Sequence, residues 1–251
     1  MVDVAAAYAE VQGRLADLMG SLSATELALP VPACPAWSVQ ELFSHHVGVL
    51  SDVAAGKLGE LGDPTRLLDQ WRDAEVARDR DALTARQVAE RRGRPVPDLI
   101  EEWWSAAAAL APALNGDVPM PGGLSPLVSS VCVNDVIVHE GDLREALALG
   151  VAEETVATSL ALAGYGASLD LRLRAERLPA IVFAYADRTR QFGDGDPAAT
   201  ITADRTTLVR LLASRLDADA ILALDWTGDP QPYLAILPEY GPAAPGTAGP
   251  R

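Results

Sequence analysis

The 251-residue chain holds only three histidines, His45, His46 and His139, so each one narrows the chemistry. His139 follows Asp135 by four positions. Residues four apart on a helix lie ~40° from one another around the axis and project their side chains together. Val128, Cys132, Asp135, His139, Asp142 and Ala146 trace one stripe at helical spacing. The polar members therefore point inward among small and apolar neighbours. A carboxylate in such a place needs a cation or a donor network. Two solutions satisfy it: a structural Asp135–His139 hydrogen-bonded pair, or a divalent metal held by both residues and by a facing helix. The third ligand would come from the adjacent His45 and His46. His46 falls on the apolar stripe of its own helix, and His45 sits 100° away beside Ser38, Leu42 and Val49. Spacing alone favours His46.

The elements that must position these residues read as helices over the first 150 positions. Val4, Tyr8, Val11, Leu15, Leu18 and Leu22 make the stripe of an opening helix. Pro30, Pro32 and Pro35 impose an extended connector. Ser38 and Glu41 predict a capping box at the start of a second helix, whose apolar face is Val39, Leu42, Phe43, His46, Val49, Leu50 and Val53. A charged third helix is predicted from about Pro64 to Arg92, and another from Pro97 to Asn115 carrying Trp103 and Trp104. A Gly/Pro loop over 116–126 precedes a last long helix over 127–149, with Gly150 as its C-cap. Long helices joined by connectors imply an up-and-down four-helix bundle.

The second half alternates differently. A helix over 153–176 leads into strand candidates at 179–185, 199–201, 221–226 and 233–236, with a helix over 206–216 between them. The expected fold class is thus α + (α+β). The bundle spans 1–150 and a small α+β domain 151–240, and the Pro/Ala/Gly tail 241–251 is expected to be disordered.

Composition sets the outer limits. A net charge of −15, from 35 acidic and 20 basic residues, argues against a nucleic-acid partner. The basic run Arg86 to Arg94 reads as the solvated end of a helix. No apolar run reaches the ~18 residues of a membrane span, and the N-terminus lacks a secretory pattern. Two cysteines suit a reducing cytoplasm, and abundant Ala and Arg with little Lys suggest a GC-rich bacterial genome. Cys34 is expected to pack against Trp37, and Cys132 to serve as a small buried hydrophobe. Residues 164–168 do not form a nucleophile elbow, and no phosphate-binding glycine loop is present.

The stretch Cys34-Pro35-Ala36-Trp37-Ser38-Val39-Gln40-Glu41-Leu42-Phe43-Ser44-His45 resembles a signature of the mycothiol-dependent maleylpyruvate isomerase family, an actinobacterial thiol-using group. A second signature stands as His139-Glu140-Gly141-Asp142-Leu143-Arg144-Glu145-Ala146, with Gly150 beyond. The resemblance implies a DinB-like metal-binding four-helix bundle and a C-terminal domain related to sterol carrier proteins. Leu208 to Arg215, ending in Ser214-Arg215 where the family usually has Gly-Arg, is similar to an element of that domain. So is the turn Trp226-Thr227-Gly228-Asp229.

By this resemblance zinc is held by His45, the residue at 135 and His139, so the family points to His45 where spacing points to His46. The family usually has glutamate at the second place. Asp135 is one methylene shorter, so the helix sits closer, or the metal is held differently, or a water intervenes. The implied cosubstrate is mycothiol, whose thiolate adds to a double bond, allows rotation and is then eliminated. Arg215 is the implied partner of a substrate carboxylate; Asp142, from its place on the helix, either orients His139 or another helix, or only caps local charges. The expected protein is a cytoplasmic enzyme, monomer or homodimer, acting on a small electrophile as isomerase or S-transferase. A zinc-water hydrolase and a non-catalytic metal-binding regulator are the alternatives.

Overall fold

The computed structural model describes residues 2–58, 74–186 and 188–240. Two compact units result, Met1–Ala152 and Glu153–Arg251. The predicted tail and the first part of the predicted third helix lie outside the described residues.

The first unit opens on α1 (Val4–Ser21), capped by the Asp3 carboxylate, which accepts from the Ala6 amide at 2.9 Å. A short α2 (Ala24–Leu27) leads into the proline-rich connector. The connector folds back on itself: β1 (Pro30–Val31) pairs antiparallel with β2 (Cys34–Ser38). The prolines keep these residues extended, and two extended segments joined by a two-residue turn pair as a hairpin. The hairpin packs against two of the long helices described next, and so seats Cys34 and Trp37 beside them.

Helix α3 (Val39–Ala54) starts where the capping box predicts: Ser38 Oγ accepts from the Glu41 amide, and the Glu41 carboxylate accepts from the Ser38 amide at 3.0 Å. Helices α4 (Ala74–Arg91), α5 (Val96–Leu114) and α6 (Val128–Ala146) complete the unit. Helices α1 and α3 each pack on both α5 and α6, and α4 packs on α3. Helix α3 thus has neighbours on three sides, so its eleven buried positions reach beyond a single stripe: Ser44, His45, His46 and Val47 are consecutive and all buried. Trp103 of α5 fills the centre, while the adjacent Trp104 is 41% exposed. A polar latch ties α4 to α5. Glu102 receives Arg91 and Arg94 together with the Ser51 hydroxyl.

The end of α6 corrects the expected cap. Ala148 takes the left-handed conformation (φ 53°), with the Leu149 amide bonding to the Arg144 carbonyl and the Ala148 amide to the Glu145 carbonyl. That pair of bonds is a Schellman motif. Gly150 lies two residues too late to serve, and an alanine bears the cost of positive φ.

The second unit packs α7 (Val156–Ala175) and α8 (Arg205–Leu212) with a four-stranded mixed sheet in the order β4-β3-β5-β6. Strand β3 (Ala180–Tyr185) pairs antiparallel with β4 (Arg188–Phe192) and parallel with β5 (Pro197–Thr202); β5 pairs antiparallel with β6 (Asp225–Gly228). Two strand expectations change here: the strand expected over 221–226 begins only at Asp225, and the one expected over 233–236 does not form. Residues 218–222 form the short helix α9, capped by Asp217, and Tyr233 lies in a 3₁₀ turn over Gln231–Tyr233. Strand β4 escapes the sequence reading because only Phe192 of its five residues is buried, so it shows no alternation. Gly166 of α7 leaves room for that ring: a Cβ there would fall 2.5 Å from Phe192 Cε1.

Candidate metal centre

Asp135 and His139, one turn apart on α6, face His45 of α3. Asp135 Oδ1 lies 3.6 Å from His45 Nε2 and 3.5 Å from His139 Nε2. The three ligand atoms all fall within 4.8 Å of one another. A tetrahedral zinc with bonds of ~2.0–2.1 Å separates its ligand atoms by about 3.3 Å, so a modest contraction closes the set around an ion. The His45, Asp135 and His139 side chains are 6%, 14% and 12% exposed, which shields the centre yet leaves it an opening.

What surrounds the three side chains fixes their tautomers. His139 Nδ1 lies 2.9 Å from Asp142 Oδ2, and that carboxylate is wholly buried. A carboxylate only accepts, so Nδ1 carries the proton and Nε2 presents a lone pair. His45 Nδ1 lies 2.9 Å from Gln87 Oε1 of α4. The Gln87 amide nitrogen donates at 2.7 Å to Asp52 Oδ2, which also receives Arg86 at 3.0 Å. Since the amide nitrogen is committed to Asp52, Gln87 can only accept from His45, and the His45 Nε2 lone pair is likewise aimed at the centre. Both imidazoles are thus held as a metal requires, by partners on the far side of the ring.

Gly48 makes the Gln87 contact possible. A Cβ at position 48 would sit 2.6 Å from Gln87 Cβ, so only glycine lets α4 approach α3 this closely.

His46 serves the same cluster from behind. Its Nδ1 lies 2.6 Å from Asp135 Oδ2, and its ring stands edge-on to Trp103 with centroids 4.7 Å apart. Burial lowers its affinity for a proton, outweighing the pull of the Asp135 hydrogen bond. For Asp135 the balance runs the other way. Burial would raise its carboxyl, but the three neighbouring imidazoles, His139 first and then His45 and His46, hold it well below the usual carboxylate range. Cys132, one turn before Asp135, is pushed up to about 12 by burial and then by the Asp135 charge, so it stays a neutral thiol.

One sequence expectation is extended. Cys34 is not spent on packing alone: its Sγ, a His139 ring nitrogen and an Asp142 oxygen lie within 4.8 Å of one another. Trp37 lies against His45, at 5.0 Å between centroids and 35° between planes, and forms a wall of the centre. Sequence reasoning missed Gln87 and Asp52 altogether.

A family model described as the mycothiol maleylpyruvate isomerase N-terminal domain matches residues 8–144, more than half of the chain. The chain belongs to this family. All the residues of the centre, from Cys34 to Asp142, fall inside the match. Two solved structures share the fold. One is a histidine-to-alanine mutant of the mycothiol-dependent maleylpyruvate isomerase, with 10% identity, TM-score 0.52, and coverage of 89% of this chain and 91% of that one. The other is the mycothiol-dependent maleylpyruvate isomerase itself, with 11% identity, TM-score 0.51, and coverage of 84% and 88%. No curated protein matches.

Arg215 belongs to the second unit. It follows Ser214, whose φ of 63° closes α8 in a second Schellman motif, with the Arg215 amide bonding to the Arg210 carbonyl at 2.8 Å. A positive φ explains why glycine suits that position. Here serine keeps the turn and uses its hydroxyl to accept from the Tyr240 amide at 2.7 Å. The Arg215 guanidinium donates to the Ala213 carbonyl at 2.8 Å.

Proposed function

We propose that this chain is a zinc-dependent cytoplasmic enzyme that uses mycothiol to isomerise, or to S-conjugate, a small electrophile in the manner of maleylpyruvate isomerase. One observation carries the reading: three donor atoms from two helices converge while both imidazoles are held, by Gln87 and Asp142, with Nε2 free to ligate. A structural Asp–His pair does not need a second histidine aimed at the same oxygen, nor two tautomers fixed in the same sense.

Two histidines and one carboxylate leave positions for an exogenous ligand, as catalytic zinc sites do. When bound there, zinc would supply Lewis acidity that favours thiolate over thiol at neutral pH. The chain's own residues do the rest. Asp142 and Gln87 hold the ligand rings, and Trp37 covers one face of His45 and keeps water off it. Aspartate in place of the family's usual glutamate is compatible with direct ligation, because Oδ1 already lies within 3.6 Å of both Nε2 atoms. In this reading Arg215 meets a carboxylate of the substrate, a role its planar guanidinium suits.

Incubating the zinc-loaded protein with mycothiol and maleylpyruvate should give thiol-dependent isomerisation, and His139→Ala should remove both zinc and turnover. If no electrophile in a panel containing maleylpyruvate is turned over or conjugated, the assigned reaction is wrong. Full zinc retention by His139→Ala would sink the centre itself.

A further inference from the structure

His46 is not among the three converging ligands, and its neighbour His45 takes that place. Yet His46 is 1% exposed, sits edge-on to Trp103, and makes the shortest contact of the cluster, 2.6 Å from Nδ1 to Asp135 Oδ2. A side chain that buries an imidazole this completely, leaving its Nε2 without a hydrogen-bond partner, gives up solvation for one bond. That bond ends on the oxygen of Asp135 that the centre does not use.

An aspartate has two torsions, and its carboxylate turns readily about the outer one. Unrestrained, it can offer one oxygen, both, or neither to an ion. With Oδ2 tied to His46, only Oδ1 faces His45 Nε2 and His139 Nε2. We infer that His46 is a positioning residue that clamps Asp135 as a one-oxygen ligand, so that this short carboxylate meets the ion in a single orientation. The inference rests on the metal-centre reading above. It adds to that reading a division of labour between adjacent histidines: His45 ligates, and His46 aims the third ligand from the opposite side. Trp103 keeps the clamp from swinging away, and the Tyr8 hydroxyl holds Trp103 in turn, accepting from its indole nitrogen at 2.9 Å.

The test is zinc affinity of the full chain, measured by competition with a chromophoric chelator, for wild type, His46→Leu, His46→Asn and His46→Gln. Leucine fills the site without a donor. Asparagine places an N–H close to the Nδ1 position, and glutamine places one near Nε2, out of reach of Asp135. Removing a group that orients a metal ligand costs 10–100-fold in affinity. His46→Leu and His46→Gln are therefore expected to bind zinc 10–100-fold more weakly, with His46→Asn within about threefold of wild type. Wild-type affinity in His46→Gln overturns the clamp. Equal weakness of asparagine and glutamine overturns it too, since packing would then be all that matters. His46→Gln also covers the case in which leucine prevents folding. A wild-type chain that binds no zinc overturns the metal-centre reading, and the clamp with it.

Discussion

The two units bury polar side chains for different ends. In the first, His45, His46, Asp52, Gln87 and Asp142 are all buried, and their bonds end on Asp135 Oδ2, on the Nδ1 atoms of His45 and His139, or on one another. In the second, Ser168, Arg172 and Glu239 are buried to fasten the segment around Leu237 and Glu239. Ser168 donates to Glu239, Arg172 donates to the Leu237 carbonyl, and the Glu239 amide donates to the Leu212 carbonyl. Both arrangements bear the same desolvation cost. They differ in what the bonds hold: imidazoles and a carboxylate whose other atoms face one another, or a segment of chain fastened in place. Buried polarity converges on a candidate metal centre only in the first case.

The comparison breaks most visibly at Gln87. Gln87→Met keeps the volume and removes both bonds, so zinc affinity should fall 10–100-fold by chelator competition. Unchanged affinity would mean that the Asp52–Gln87–His45 chain serves the fold alone. In the second unit, Arg172→Met should lower unfolding free energy by about 1–3 kcal/mol in a urea titration, because the buried bond to the Leu237 carbonyl is lost. Its zinc content should not change; a loss of zinc would erase the distinction between the units.

The smallest effect sharpens the boundary inside the first unit, at the Glu102 latch. Burial raises that carboxyl, but the bonds from Arg91, Ser51 and Arg94 lower it further, to below its ordinary 4.5. Its folded value lies below its unfolded one, so its contribution is complete above about pH 4.5 and fades as pH falls through the folded value. Metal-free Glu102→Gln should lose less stability than wild type between about pH 5 and pH 3, as read by urea midpoints. Parallel loss in both proteins would remove Glu102 from the account.

Much of this was legible in the sequence, and the reasons are local. The Asp135–His139 spacing and the Ser38–Glu41 cap are properties of one helix, and one helix is what periodicity describes. The apolar stripe of α3 pointed to His46, which is indeed the more buried histidine and the one hydrogen-bonded to Asp135. It could not rank the two for ligation, because α3 is surrounded by α4, α5 and α6 and hides both. Gln87 stayed out of sight on a helix of predominantly charged and exposed residues. Only its approach to α3 gives it a role, and that approach is set by a partner helix. Strand β4 and the hairpin at 30–38 owe their pairing to neighbours in the same way.

That approach depends on a single missing methyl group. Gly48 touches no ion and no substrate, yet a Cβ there would overlap Gln87. Anyone moving this centre into another helical scaffold would copy the three ligands first and obtain a loose imitation. The portable unit is larger: Gly48 has to travel with Gln87, Asp52 and Arg86, because the gap between two helices is itself a part being grafted.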